Sequence, residues 1–137
     1  MADTIPTHRL SEGAILKMLK TAVEKAREIK APMGIGIVDA GGTLRAWVLM
    51  EGASPLAYPA VLKKAKTAAY ARQPSGKIPA EIANLLAMAM PDFTNLEGGL
   101  PIMKGPEVLG AIGVGGGLPE ADLIVARAGL ATLTLEP

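Results

Sequence analysis

An α/β fold of the α+β type, with an antiparallel sheet of four to five strands flanked by helices, follows from three features. Two strand-turn-strand patterns stand well apart, one around Ala40-Gly41-Gly42 and one around Lys104-Gly105-Pro106-Glu107. Around them lie four segments with apolar residues at helical spacing. No linker, low-complexity tract or repeat interrupts the 137 residues, so one domain spanning 1–137 is expected. The element order reads α-β-β-α-α-β-β-α.

The chain begins with an irregular arm, residues 1–10, that carries His8 and Arg9. Ser11 is placed to cap the first helix, with Glu12 at the positive end of its dipole. Ile15, Met18, Leu19, Ala22, Val23, Ala26 and Ile29 then follow helical spacing, and Pro32 ends the segment. Met33–Asp39 and Thr43–Met50 read as a hairpin whose second strand is largely apolar on both faces, with Arg45 beside Trp47 and Leu49 on one of them. Such a sheet needs a cover on each side.

Pro59 suits the first position of a helix running to about Ala71, and Pro79 that of a helix to about Met90. In the second of these, Ile82, Leu85, Leu86 and Ala89 are expected to face inward. Leu100–Met103 and Val108–Val114 form the second hairpin, and Pro119-Glu120-Ala121-Asp122 opens a last helix. Ala131–Leu135 is the candidate fifth strand. The stretch Gly98–Gly117 is unusually rich in glycine. Its open backbone suits either the wall of a site or subunit contact, or turns and bulges alone.

Composition narrows the function classes. Half the residues are apolar, yet aromatics are limited to one Trp, two Tyr and one Phe, so the core must be aliphatic. A net charge of +1 gives no reason to expect nucleic acid or an anionic membrane as partner. The absence of cysteine removes disulfides, thiolate nucleophiles and sulfur-ligated metals. No signal peptide pattern and no apolar run of the roughly 18 residues a membrane helix needs are present, and a cytoplasmic location is expected. Many small apolar residues with few charges point to burial between subunits, and so to a homo-oligomer.

Three ordered blocks carry a family resemblance. They are Ile37-Val38-Asp39-Ala40-Gly41-Gly42-Thr43-Leu44; Met50-Glu51-Gly52-Ala53 with Lys64-Ala65-Lys66-Thr67-Ala68; and Gly98–Ile102 with Gly110–Gly116, Asp122 and Ala126–Gly129. Together they resemble the GlcG/HbpS family, also described as haem-degrading, which includes the C-terminal domain of PduO. The resemblance implies a profilin-like layered fold, a homo-oligomer (often an octamer), and links to haem or corrinoid binding or to small-molecule catabolism. Two positions depart from the family pattern: Leu49 stands where an arginine is usual, and Glu51 where an aspartate is. Ser11–Lys30 also lacks a histidine, which leads to the expectation that haem binding is weak.

Dinucleotide and phosphate-loop signatures are absent, since Gly113–Leu118 departs from G-x-G-x-x-G at its last position. With one histidine and no cysteine, no metal-ligand spacing exists and no metal centre is expected. The leading expectation is a small cofactor-independent enzyme, a hydrolase, dehalogenase or tautomerase. Its substrate would be an unsaturated organic acid such as a 2-hydroxymuconate. In that reading Arg9 clamps the carboxylate, Lys64 adds charge, and His8 or Glu51 moves the proton. Amides of Gly115, Gly116 and Gly117 steady the oxyanion. Plain alternatives exist for each: Arg9 pairing with Glu12, Lys64 in solvent, Glu51 capping a turn. The alternative function is a haem or corrinoid binder, with a purely structural oligomer as the third reading.

Overall fold

The computed structural model describes residues 2–135. Four helices and four strands follow the expected order: α1 Glu12–Glu28, β1 Gly34–Asp39, β2 Leu44–Leu49, α2 Ala57–Ala71, α3 Ala80–Ala89, β3 Gly99–Lys104, β4 Glu107–Gly115 and α4 Pro119–Leu130. The strands form one antiparallel sheet in the order β2-β1-β4-β3. The α1–α4 pair covers one face of the sheet and α2 lies on the other.

Side chains alternate between the faces, as strand geometry requires. Ile35, Ile37, Leu100, Ile102, Ile112 and Val114 join Ile15, Met18, Ala22, Ala26, Val125 and Ala126 in the main core. Toward α2 the sheet presents glycine at several facing positions, with Trp47 of β2 lying against Gly34 and Gly36. Gly34 pairs with Gly115, and Gly36 with Gly113, which pairs in turn with Gly99. A Cβ on Gly113 would stand 2.5 Å from Val61 O and 3.0 Å from Ala65 N, both backbone atoms of α2. A Cβ on Gly99 would meet the Lys64 carbonyl. The glycines therefore let a helix backbone lie directly on strand backbone. Alanines 65, 68 and 69 of α2 complete this thin layer with Val38 and Ala111.

The turns behave as their residues dictate. Ser11 Oγ accepts the Ala14 amide at 3.1 Å and caps α1. The helix ends before Pro32, with Lys30 in the left-handed region (φ 56°) and the Ala31 amide bonded to Ala26 O at 2.9 Å. Asp39 Oδ1 accepts the Gly41 and Thr43 amides at 3.0 and 2.9 Å and closes the β1–β2 turn. Ser75 pairs with β3 from outside the sheet: its amide donates to Gly99 O and its Oγ accepts from Gly99 N, both at 2.9 Å.

Three expectations need correction. Helix α2 begins at Ala57, so Pro59 lies inside the first turn rather than at its first position. Residues 131–135 form a turn and an irregular tail, not a fifth strand; the Ala131 and Thr132 amides bond back to Arg127 O and Gly129 O instead. Helix α3 buries only Ala83. Ile82, Leu85 and Met88 are 51, 66 and 85 % exposed, because α3 packs against no other helix or strand backbone.

Candidate functional site

The N-terminal arm is anchored just before α1 by Leu10, which is buried in the main core. That anchor fixes the two preceding residues, His8 and Arg9, above the β3–β4 turn. Gly105 adopts φ 58° in that turn, and Glu107 follows as the first residue of β4. Its carboxylate grips His8 twice: the His8 amide donates to Oε2 at 2.7 Å, and Nδ1 lies 2.8 Å from Oε1. The hydrogen bond from the His8 ring, first of several causes, holds the Glu107 carboxyl below its ordinary pKa. An ionised carboxylate only accepts, so Nδ1 carries a proton toward Glu107, and in the neutral ring the lone pair is then on Nε2. Nε2 has no partner among the described residues.

Beside this pair opens a cavity of about 560 Å³. The arm from Ile5 to Arg9 forms one wall, and Asp39–Gly41 and Arg72 another, with Pro106–Leu109 closing the floor. Both acids on the lining are committed, Asp39 to its own turn and Glu107 to His8. Arg9 and Arg72 carry no ion pair or hydrogen bond among the described residues.

The other expected site residues lie elsewhere. Glu51 is exposed and lines a separate cavity of about 450 Å³ with Arg27 and Lys30. Lys64 is buried in α2; its Nζ donates to Val114 O at 3.0 Å and to Asp122 Oδ2 at 3.2 Å. Asp122 Oδ1 accepts the Gly117 amide at 3.0 Å, so that amide is already used. Burial pushes the Asp122 carboxyl above its ordinary pKa, and the Lys64 ammonium partly offsets this. Gly115 is buried beside Val61 and Lys64, and Gly116 adopts φ 116° at the end of β4. The structure thus gathers His8 and Arg9, and separately Lys64 with the Gly115–Gly117 loop, while Glu51 joins neither.

Three residues of these clusters were not singled out from sequence. Glu107 contacts His8 across 99 positions, a separation that no local pattern reports. Arg72 closes α2, and no local pattern links it to the arm. Asp122 read as a helix-dipole residue, although a buried lysine on α2 demands a buried carboxylate somewhere.

A four-stranded antiparallel sheet between a helix pair and a single helix defines a layered α+β protein, with its lone histidine held by a carboxylate beside an open cavity. The family described as haem degrading protein HbpS-like matches residues 10–131, and this chain belongs to it. The chain is 32 % identical over 124 residues to a 15.0 kDa protein from the dhaT-dhaS intergenic region of Citrobacter freundii, covering 86 % of this chain and 87 % of that one. It is 30 % identical to protein GlcG of Escherichia coli K12 over 107 residues, covering 77 and 80 % of the two chains.

Among solved structures it is similar to Klebsiella pneumoniae ORFY (TM-score 0.88, 26 % identity, 96 and 94 % of the two chains). A double mutant of Streptomyces reticuli HbpS superposes with TM-score 0.83 at 28 % identity, covering 98 and 93 %. The PduOC–haem complex shares the fold, with TM-score 0.85 at 22 % identity over 95 and 100 %.

These findings overturn the organic-acid enzyme. The family is described by haem, not by hydrolysis, dehalogenation or tautomerisation. The expectation of no cofactor finds no support in them either. Of the two proton movers named for that enzyme, Glu51 lines a different cavity from Arg9, while His8 shares one with it. Among the described residues, no helix is long and apolar enough to cross a membrane.

Proposed function

We propose that the chain binds a tetrapyrrole, haem in the first instance, in the cavity of the N-terminal arm, with His8 Nε2 as the ligand to its metal. The observation that carries this is the Glu107 grip on His8. A histidine that ligates a metal through one nitrogen characteristically donates the other to a carboxylate, which fixes its tautomer and ring orientation. The cavity volume of about 560 Å³ lies within the range of small-molecule and cofactor sites, roughly 300–1,000 Å³. The missing histidine in α1, which argued for weak binding, is thereby supplied from the arm. Redox or degradative chemistry would come from the bound group, and the chain's part is to bind, orient and shield it.

The test is a hemin titration followed at the Soret band. The wild type is expected to give a saturable one-to-one spectrum, and His8→Ala to shift the band and weaken binding. Identical spectra and affinities in the two proteins would refute the assignment.

A homo-oligomer is part of the same reading. It is supported by Ile82, Leu85 and Met88 on α3, which form an apolar face that this chain leaves in solvent. Sedimentation is expected to show a species well above the 14.1 kDa monomer, and Leu85→Lys to reduce it. A monomer at micromolar concentration would exclude self-association.

A further inference from the structure

We infer that Arg9 and Arg72 read two carboxylates on the edge of the ligand, so that the cavity selects a tetrapyrrole with free acid side chains over an amidated or esterified one. The inference rests on the tetrapyrrole reading above and narrows it. It starts from a charge inventory of the lining. Asp39 and Glu107 are present but spent: Asp39 Oδ1 accepts two turn amides, and both Glu107 oxygens face His8. The two guanidinium groups are the charged side chains of the lining left with neither a hydrogen bond nor an ion pair among the described residues.

Their placement is set by rigid elements. Arg9 precedes the Ser11 cap of α1 by two residues, with Leu10 buried between them. Arg72 ends α2 beside the β1–β2 turn, where Tyr70 Oη donates to Gly41 O at 3.4 Å. The cavity is thus approached by one arginine from the arm and one from the helix end. A guanidinium binds a carboxylate through two parallel hydrogen bonds, which a neutral ester or amide cannot reciprocate. Haem carries two propionates. A corrinoid whose peripheral acids are amides offers no such charges, so the lining favours the first ligand over the second.

The experiment compares hemin with its dimethyl ester in the same detergent solution, with cyanocobalamin as a third probe. Dissociation constants and Soret positions are recorded for wild type, Arg9→Gln, Arg72→Gln, the double variant and Arg9→Lys. The wild type is expected to prefer the free acid by roughly tenfold or more, the scale of a charge-assisted hydrogen bond. Each single glutamine variant loses part of that preference, and the double variant loses all of it. The Soret position set by His8 stays unchanged throughout. Arg9→Lys recovers less than the wild-type preference, because the charge returns without the fork.

Equal affinity for hemin and its ester, or a preference that survives in the double variant, overturns the arginine inference. It leaves the ligand reading standing provided His8→Ala still shifts the Soret band. Spectra indifferent to His8→Ala overturn the ligand reading itself, so the two failures separate.

Discussion

The two faces of the sheet are built on opposite principles. Toward α1 and α4 each strand contributes large aliphatic side chains, and the layers are held apart by their bulk. Toward α2 the same strands contribute glycine at positions 34, 36, 99, 113 and 115, and at Gly99 and Gly113 helix and strand meet backbone to backbone. The first face gains stability from apolar area removed from water. The second gains it from close contact, which depends on nothing standing in the gap. Adding atoms and removing atoms should therefore harm opposite faces, and that asymmetry can be tested.

The largest effect is expected on the aliphatic face. Ile112 is fully buried between its neighbours, and Ile112→Ala removes its contacts and leaves a cavity. The expected cost is about 2–5 kcal/mol in denaturant unfolding. Gly113, the next residue on the same strand, points the other way. There a single added methyl meets Val61 O and Ala65 N, which cannot move without moving α2. Gly113→Ala is expected to cost about 1–3 kcal/mol. A Gly113→Ala protein as stable as wild type would mean that α2 yields freely and that the thin face is not tightly packed.

That contrast also shows what was legible in the residues alone. Four strands, four helices and their order follow from turn residues and periodicity, which are local signals. The glycine-rich stretch was equally visible, but its role was not. Gly113 and Gly115 lie within β4 and seat α2, a helix whose contact with β4 spans about fifty positions of chain. Helix α3 failed for a related reason: periodicity shows that Ile82 and Leu85 share character, not what covers them. For the site, His8 and Arg9 were legible as chemistry near a helix start. Glu107, which gives His8 its orientation, was not, because β-hairpin register and arm placement bring the two together only in the fold. Lys64 reads from sequence as a solvated or substrate-facing residue, because only the fold shows that its ammonium runs past Gly98 and Gly115 to Asp122.

The Lys64–Asp122 pair, where the two faces are joined, gives the smallest and most diagnostic effect. Two influences on Asp122 compete. Burial disfavours its charged form, while Lys64 and the Gly117 amide favour it, and burial is the larger. The folded-state pKa is therefore raised above the ordinary aspartate value that the unfolded chain shows. As pH rises through that value, unfolded chains release the proton while folded chains keep it. The stabilisation this group contributes is complete below the unfolded pKa and is lost as pH climbs through the folded one. Glu107 has the opposite sign: its folded pKa is lowered, so its contribution is present above the usual range and is lost as pH falls through the folded value. Asp122→Asn removes the first titration and leaves the second. The measurement is unfolding free energy of both proteins between pH 3 and 8, read as wild type minus variant, in which the Glu107 contribution cancels. That difference should fall with rising pH and then level off. A difference that rises with pH would mean that the ion pair outweighs burial, and that the junction between the faces is held by charge.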